Sequence, residues 1–171
     1  CQGMTVRDLL EHLVMVVRRI ASAGRDEPPS TWPTDAADVA DGQWPAAVRR
    51  AAHELQRAWT DDTLDRPTVV PWGVFPGAEV LGIYTNELTV HTWDLASATG
   101  QEVEWDAGAL EAAWAAIRRQ LPSADRSPMW KATKARLPPD HPWEDPFGPA
   151  VPVPDDAPLL DRLIGWNGRT P

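Results

Sequence analysis

The chain has 171 residues, 43% of them hydrophobic, which suits one domain with its own core. A net charge of −9 argues against general attraction to nucleic acid or to an anionic membrane surface. Cys1 is the only cysteine and no apolar run approaches the roughly 20 residues that cross a bilayer, so the expectation is a disulfide-free cytoplasmic protein.

MTVRDLLEHLVMVVRRIASAG opens the chain as a helix. Thr5 with Asp8 three residues later is a capping-box pattern, and Gly24 reads as its stop. Val6, Leu9, Leu10, Leu13, Val17 and Ile20 form one apolar stripe, with His12 at its edge. DEPPSTWPTDAADVADGQ follows as a loop without sustained period. Trp44-Pro45 starts a second helix running to about Thr60, its buried face assigned to Val48, Ala52, Leu55 and Trp59. DRPTVVPWGVFPG carries two short β-type runs around Pro71-Trp72-Gly73, the pattern of a small hairpin.

A third helix is expected from about Ala78 to Thr99, closed by Gly100, and a fourth from Asp106, with Leu110, Ala113, Trp114, Ile117 and Leu121 on one face. Pro122 ends it. The rest is proline-rich and extended, with one last short helix in DAPLLDRLIGWNG. The organisation expected is thus all-α, one domain over 1–171, with helices up to 121 and a tail over 122–171 packing on or extending from them.

The third helix contains TNELTVHTWDLASATG, Thr85 to Gly100. At about 100° per residue, Glu87 and His91 fall within the arc of Val80, Tyr84, Leu88, Leu95 and Ala98, opposite Thr85, Asn86, Thr89, Thr92 and Trp93. An isolated carboxylate on a buried face costs several kcal/mol, so a compensating partner is required. Glu87 and His91 are either a satisfied core pair or two ligands of a metal ion, since a four-residue gap places both on one face. A His₂Glu set with one open position suits zinc. Of the other histidines, His53 lies off the apolar face and His141 sits between prolines, which leaves His12 as the third candidate. Asp94 is either an acceptor orienting His91 or a surface acid.

GMTVRDLLEHL, PWGVFPG, NELTVHTWDLASATG and FGPAVPVPDDAP, in this order along nearly the whole chain, resemble the actinobacterial DinB-like metal-binding proteins grouped with the N-terminal domain of mycothiol-dependent maleylpyruvate isomerase. The resemblance implies a four-helix bundle with a small hairpin insertion, holding a divalent metal through His12, Glu87 and His91. Zinc is the expected ion, with nickel or iron as alternatives, and mycothiol the expected co-substrate. The family carries a further helix before the GMTVRDLL segment, so that first helix is expected to be missing from this chain or replaced by a partner subunit, as in a homodimer. The proline-rich tail is too short for the isomerase's C-terminal α/β domain, which argues against isomerase activity itself.

The function expected is a metal-dependent thiol transferase, joining a small-molecule thiol to a small electrophile, with Trp72 and Trp93 as candidate substrate-binding residues. The alternatives are a metal-binding structural or interaction module without turnover, and a metal-dependent hydrolase. Neither nucleic acid nor membrane is expected as a partner.

Overall fold

Thr5 caps α1 (Val6–Gly24): its hydroxyl accepts from the Asp8 amide, and the Asp8 carboxylate accepts from the Thr5 amide at 2.8 Å. The computed structural model describes residues 3–135 and 147–171. Cys1 and His141 lie outside the described residues. The described chain is mostly helical, with one small two-stranded antiparallel sheet.

After a loop come α2 (Trp44–Ala58), the single turn α3 (Asp61–Leu64), the hairpin β1 (Pro67–Val70) and β2 (Gly73–Pro76), and α4 (Gly77–Thr99). The hairpin pairs Val70 with Gly73 across the Pro71-Trp72 turn and Val69 with Val74 further out. Alternation turns Thr68 and Val70 inward, while Val69 and Val74 stay exposed. One core joins Met15, Val16, Ile20 and Ala23 of α1 to Val70, Val80 and Tyr84, with Trp32 from the first loop. A second lies between Val14, Ala36, Val39, Trp44 and Ala47. The first loop is therefore ordered, and Arg18 fastens it further with a two-pronged ion pair to Asp38 at 2.7 and 2.9 Å.

Gly24 is the last residue of α1, but not as a left-handed stop; the residue after it, Arg25, has φ −82°. Its service is closeness: a Cβ there would lie 2.7 Å from Trp59 Nε1, which donates to the Ile20 carbonyl at 2.9 Å. The buried face of α2 also differs from the sequence reading. Trp44, Ala47 and Ala51 are buried, whereas Val48, Ala52, Leu55 and Trp59 are only half-buried. Small residues at the centre let α2 approach α1, and the larger ones pack along the sides of the contact.

The outer side assigned to α4 is likewise corrected, because Asn86 and Thr89 are buried. Ala98, assigned to the apolar arc, is exposed. A helix covered on more than one side selects small polar residues there. Thr89 satisfies its hydroxyl by donating to the Thr85 carbonyl at 2.7 Å, and Thr85 does the same to Leu81 at 2.8 Å. Gly100 closes α4 in the left-handed conformation, φ 66°, as its position in the sequence suggests.

The chain divides into two compact units, Cys1–Glu104 and Trp105–Pro171. The second contains α5 (Ala107–Gln120), capped by Asp106, then α6 (Ser127–Lys134) and α7 (Leu159–Trp166). Its core is Ala113, Ile117, Leu121 and Leu163, flanked by Trp114, Trp130 and Trp166. α5 therefore belongs with the proline-rich segment, and several of the ten tryptophans serve that core. At its centre Arg126 is 2% exposed and donates to the carbonyls of Pro122, Gly148 and Trp166. No helix among the described residues is long and apolar enough to cross a membrane.

Candidate metal centre

Glu87 and His91 are one turn apart on α4, and His12 on α1 faces them. His12 Nε2 lies 3.1 Å from Glu87 Oε1, and His91 Nε2 lies 3.2 Å from the same oxygen. The two imidazoles meet edge to face, with ring centres 4.7 Å apart. On the other side of His91, Nδ1 is 3.0 Å from Asp94 Oδ2. His91 and Asp94 are nearly buried, whereas the His12 and Glu87 side chains keep 28% and 23% of their surface. The group is thus closed on one side and open on the other.

Charge is concentrated here. Burial by itself would raise the Glu87 carboxyl, but hydrogen bonds from His12 and His91 outweigh it and hold the group at about 2. Burial pushes His91 down, while Asp94 and Glu87 pull it up to about 9. Both values describe the protein with no ion bound.

The three donors fit a divalent ion. Ligands about 2.0–2.2 Å from a tetrahedral centre stand about 3.3–3.5 Å from one another. The two edges at Glu87 Oε1 are 3.1 and 3.2 Å, and all three ligand atoms lie within 4.8 Å of one another. The tautomer points the same way. With its Nδ1–H donated to Asp94, neutral His91 directs the Nε2 lone pair at the Glu87 oxygen, so acceptor faces acceptor. Either a proton or a cation must lie between them. His12, Glu87 and His91 are the one such group found among the described residues, and they could hold a metal ion through three protein ligands.

The remaining candidates fall in different places. Asp94 is paired with His91. Trp72 is in the hairpin turn, 39% exposed, with its ring 6.0 Å from that of Tyr84. Trp93 is half-buried on α4, but two residues after His91 and so about 200° round the helix from it. His53 is exposed. Tyr84 was absent from the site reading of the sequence and lies on the same face of α4 as Glu87 and His91, three residues before the carboxylate. Burial raises its hydroxyl above the ordinary phenol range, Arg19 opposes that and Glu87 adds to it. The seven-residue spacing from Tyr84 to His91 carried the signal, but on a wheel a tyrosine there reads as core.

A family profile described as the mycothiol maleylpyruvate isomerase N-terminal domain matches residues 1–96. The match spans both helices that supply the three donor residues. Two Mycobacterium tuberculosis proteins, "Uncharacterized protein Rv0738" from strain H37Rv and "Uncharacterized protein MT0763" from strain CDC 1551, are each 31% identical to this chain over 172 aligned residues. Each alignment covers 99% of the chain and 82% of the relative. No solved structure matches. The profile match over more than half the chain, together with these mycobacterial relatives, establishes that the chain belongs to the mycothiol maleylpyruvate isomerase N-terminal domain family, the DinB-like family of actinobacteria.

Proposed function

We propose that this protein binds a divalent ion, zinc in the first instance, through His12, Glu87 and His91, and uses it to transfer a small-molecule thiol to an electrophile. The observation that carries the reading is the convergence of two Nε2 atoms on Glu87 Oε1, with His91 anchored from behind by Asp94. When bound, a divalent ion lowers the pKa of a thiol brought to it and so supplies a nucleophile at neutral pH. His12 and Glu87 leave the open side through which reactants enter, while Asp94 fixes the ring of His91. The thiol proton passes to solvent on that open side, the sulfur bonds to an electrophilic carbon, and the electron pair displaced there departs with a leaving group or, from a double bond, takes a proton back from solvent. Family membership supports mycothiol as the thiol.

Two measurements test this. Protein exposed to zinc, nickel and iron should retain about one divalent ion per chain, lost in His91→Ala; a wild type that retains none overturns the ligand set. Consumption of small electrophiles should then require mycothiol. Equal rates with and without it would exclude the transferase and leave hydrolysis, and no consumption in either case would leave a metal-binding module.

A further inference from the structure

Charge is divided unevenly between the two units. Residues 105–171 hold eight of the 16 lysines and arginines but only nine of the 25 acidic residues. The first unit therefore carries nearly all of the net negative charge, and the second is close to neutral. Within the second unit, α5 and α7 each pair a tryptophan with an arginine one turn away, Trp114 with Arg118 and Trp166 with Arg162. The two indoles meet edge to face, with ring centres 5.4 Å apart. The Arg118 guanidinium lies over both rings, 5.3 Å from the centre of Trp114 and 5.7 Å from that of Trp166. Arg162 reaches across from α7 and lies 5.0 Å over Trp114. Both cations thus share one indole.

The fold makes no use of their donor edges. Among the described residues, ion pairs go to Arg7, Arg18 and Arg25, and carbonyls are bonded by Arg19, Arg66, Arg126 and Arg169. The guanidiniums of Arg118 and Arg162 have neither kind of partner there. The one buried side-chain nitrogen or oxygen without a partner is Arg66 Nε, so the N–H groups of Arg118 and Arg162 reach solvent. Stacking on an indole occupies the face of a guanidinium and leaves its in-plane N–H fork free. Helix electrostatics accounts for Arg118, in the last turn of α5, but not for Arg162, the fourth residue of α7, near the end that favours acids. Two cations on one ring also repel each other, and an anion held between them relieves that repulsion. The family profile matches residues 1–96 and includes none of these four side chains, so the chemistry of the metal centre does not account for them.

We propose that Arg118 and Arg162, mounted on Trp114 and Trp166, form a binding site for a phosphate group, either the free ion or the monoester of a small molecule. The site lies wholly in the second unit and is independent of the metal reading of the first. A guanidinium fork takes two oxygens of a phosphate, and a dianion has oxygens for both forks, whereas a monocarboxylate fills only one. Trp166 steadies the platform by donating Nε1 to the Leu121 carbonyl at 3.1 Å. Arg118 is exposed, so its head is free to swing towards a group held at the half-buried Arg162.

The test follows the Nε–H resonances of Arg118 and Arg162 by NMR in the full zinc-loaded chain, at about pH 7.5, where phosphate groups are mostly dianionic. Inorganic phosphate, methyl phosphate and acetate are titrated separately, with ionic strength held constant by chloride. At least one of the two phosphates should move both resonances along a single saturating curve, and the tighter of the two identifies the free ion or the ester as the ligand. Acetate should bind at least about tenfold more weakly. Arg118→Met and Arg162→Met should each weaken phosphate binding about tenfold or more, read at the remaining arginine. Arg119→Met removes the same charge one residue along and should leave the affinity within about twofold. Shifts that never saturate, acetate as tight as phosphate, unchanged affinity in either of the first two variants, or an equal loss in Arg119→Met each overturn the site. Backbone amide exchange in α5 and α7 at the wild-type rate shows that a variant is folded. Where a methionine variant loosens those helices, the lysine variant at the same position decides: it keeps the charge and loses the fork, so a loss of about threefold or more supports the site and no loss overturns it.

Discussion

Asp94 bears on the candidate metal centre through the oxygen that fixes His91 Nδ1. Asp94→Ala should weaken zinc binding by about 10–100-fold, and Asp94→Asn by less, since an amide oxygen can still accept the bond. Competition against a chromophoric chelator measures both. In the metal-free protein the same pair gives a pH dependence with a definite sign. His91 is raised from 6.5 to about 9, so its contribution is complete below pH 6.5 and disappears as pH rises through 9. Glu87 is lowered from 4.5 to about 2, so its contribution is present above pH 4.5 and lost as pH falls through 2. Denaturant unfolding of chelated protein should therefore lose on the order of 2–3 kcal/mol between pH 6 and 10, with the loss absent in His91→Gln. The Glu87–His91 contact enters both shifts and is counted once. From the sequence, Glu87 and His91 were legible as a pair by their spacing. Their partner was less so, because His12 stands 75 residues away from Glu87 and only packing brings the two together.

At the scale of elements, the ends of α1 hold its register against α2 and α4. Thr5→Ala removes a capping box and should cost about 1 kcal/mol in denaturant unfolding. Gly24→Ala should cost more, about 1–3 kcal/mol, because the added methyl meets Trp59 and the Ala58 Cβ at 2.9 Å or less. The first effect was readable from residue types, since a cap involves neighbours three apart. The second was not. Gly24 and Trp59 look like a helix stop and a buried stripe residue until α2 is laid on α1. The same holds for α4, where a wheel assigns one wet side and the fold covers part of it, so Asn86 and Thr89 contradict their composition. The hairpin was legible because strand alternation and a Pro-Trp-Gly turn are local signals.

For the whole molecule, the second unit depends on one buried guanidinium. Arg126→Met should leave three carbonyls without their partner and destabilise that unit by about 3 kcal/mol or more. Hydrogen exchange should show faster exchange in α5, α6 and α7, with zinc content unchanged because the three ligands lie in the first unit. The apolar face of α5 and the short α7 were legible, but their grouping into one unit with the proline-rich stretch was not, since it comes from a small core and an arginine with one acceptor 40 residues away. The sequence by itself determined α1, α2, α4, α5 and α7, the hairpin, the Glu87–His91 spacing and the family, because each of these is written in short-range pattern or motif, whereas the short α3 and α6 were absent from that reading. Tertiary structure alone decided that His12 stands beside Glu87 and His91, that Asp94 stands behind His91, and that Trp72 meets Tyr84. Those are contacts between segments far apart in the chain, and their distances depend on how the helices pack and not on how any one of them forms.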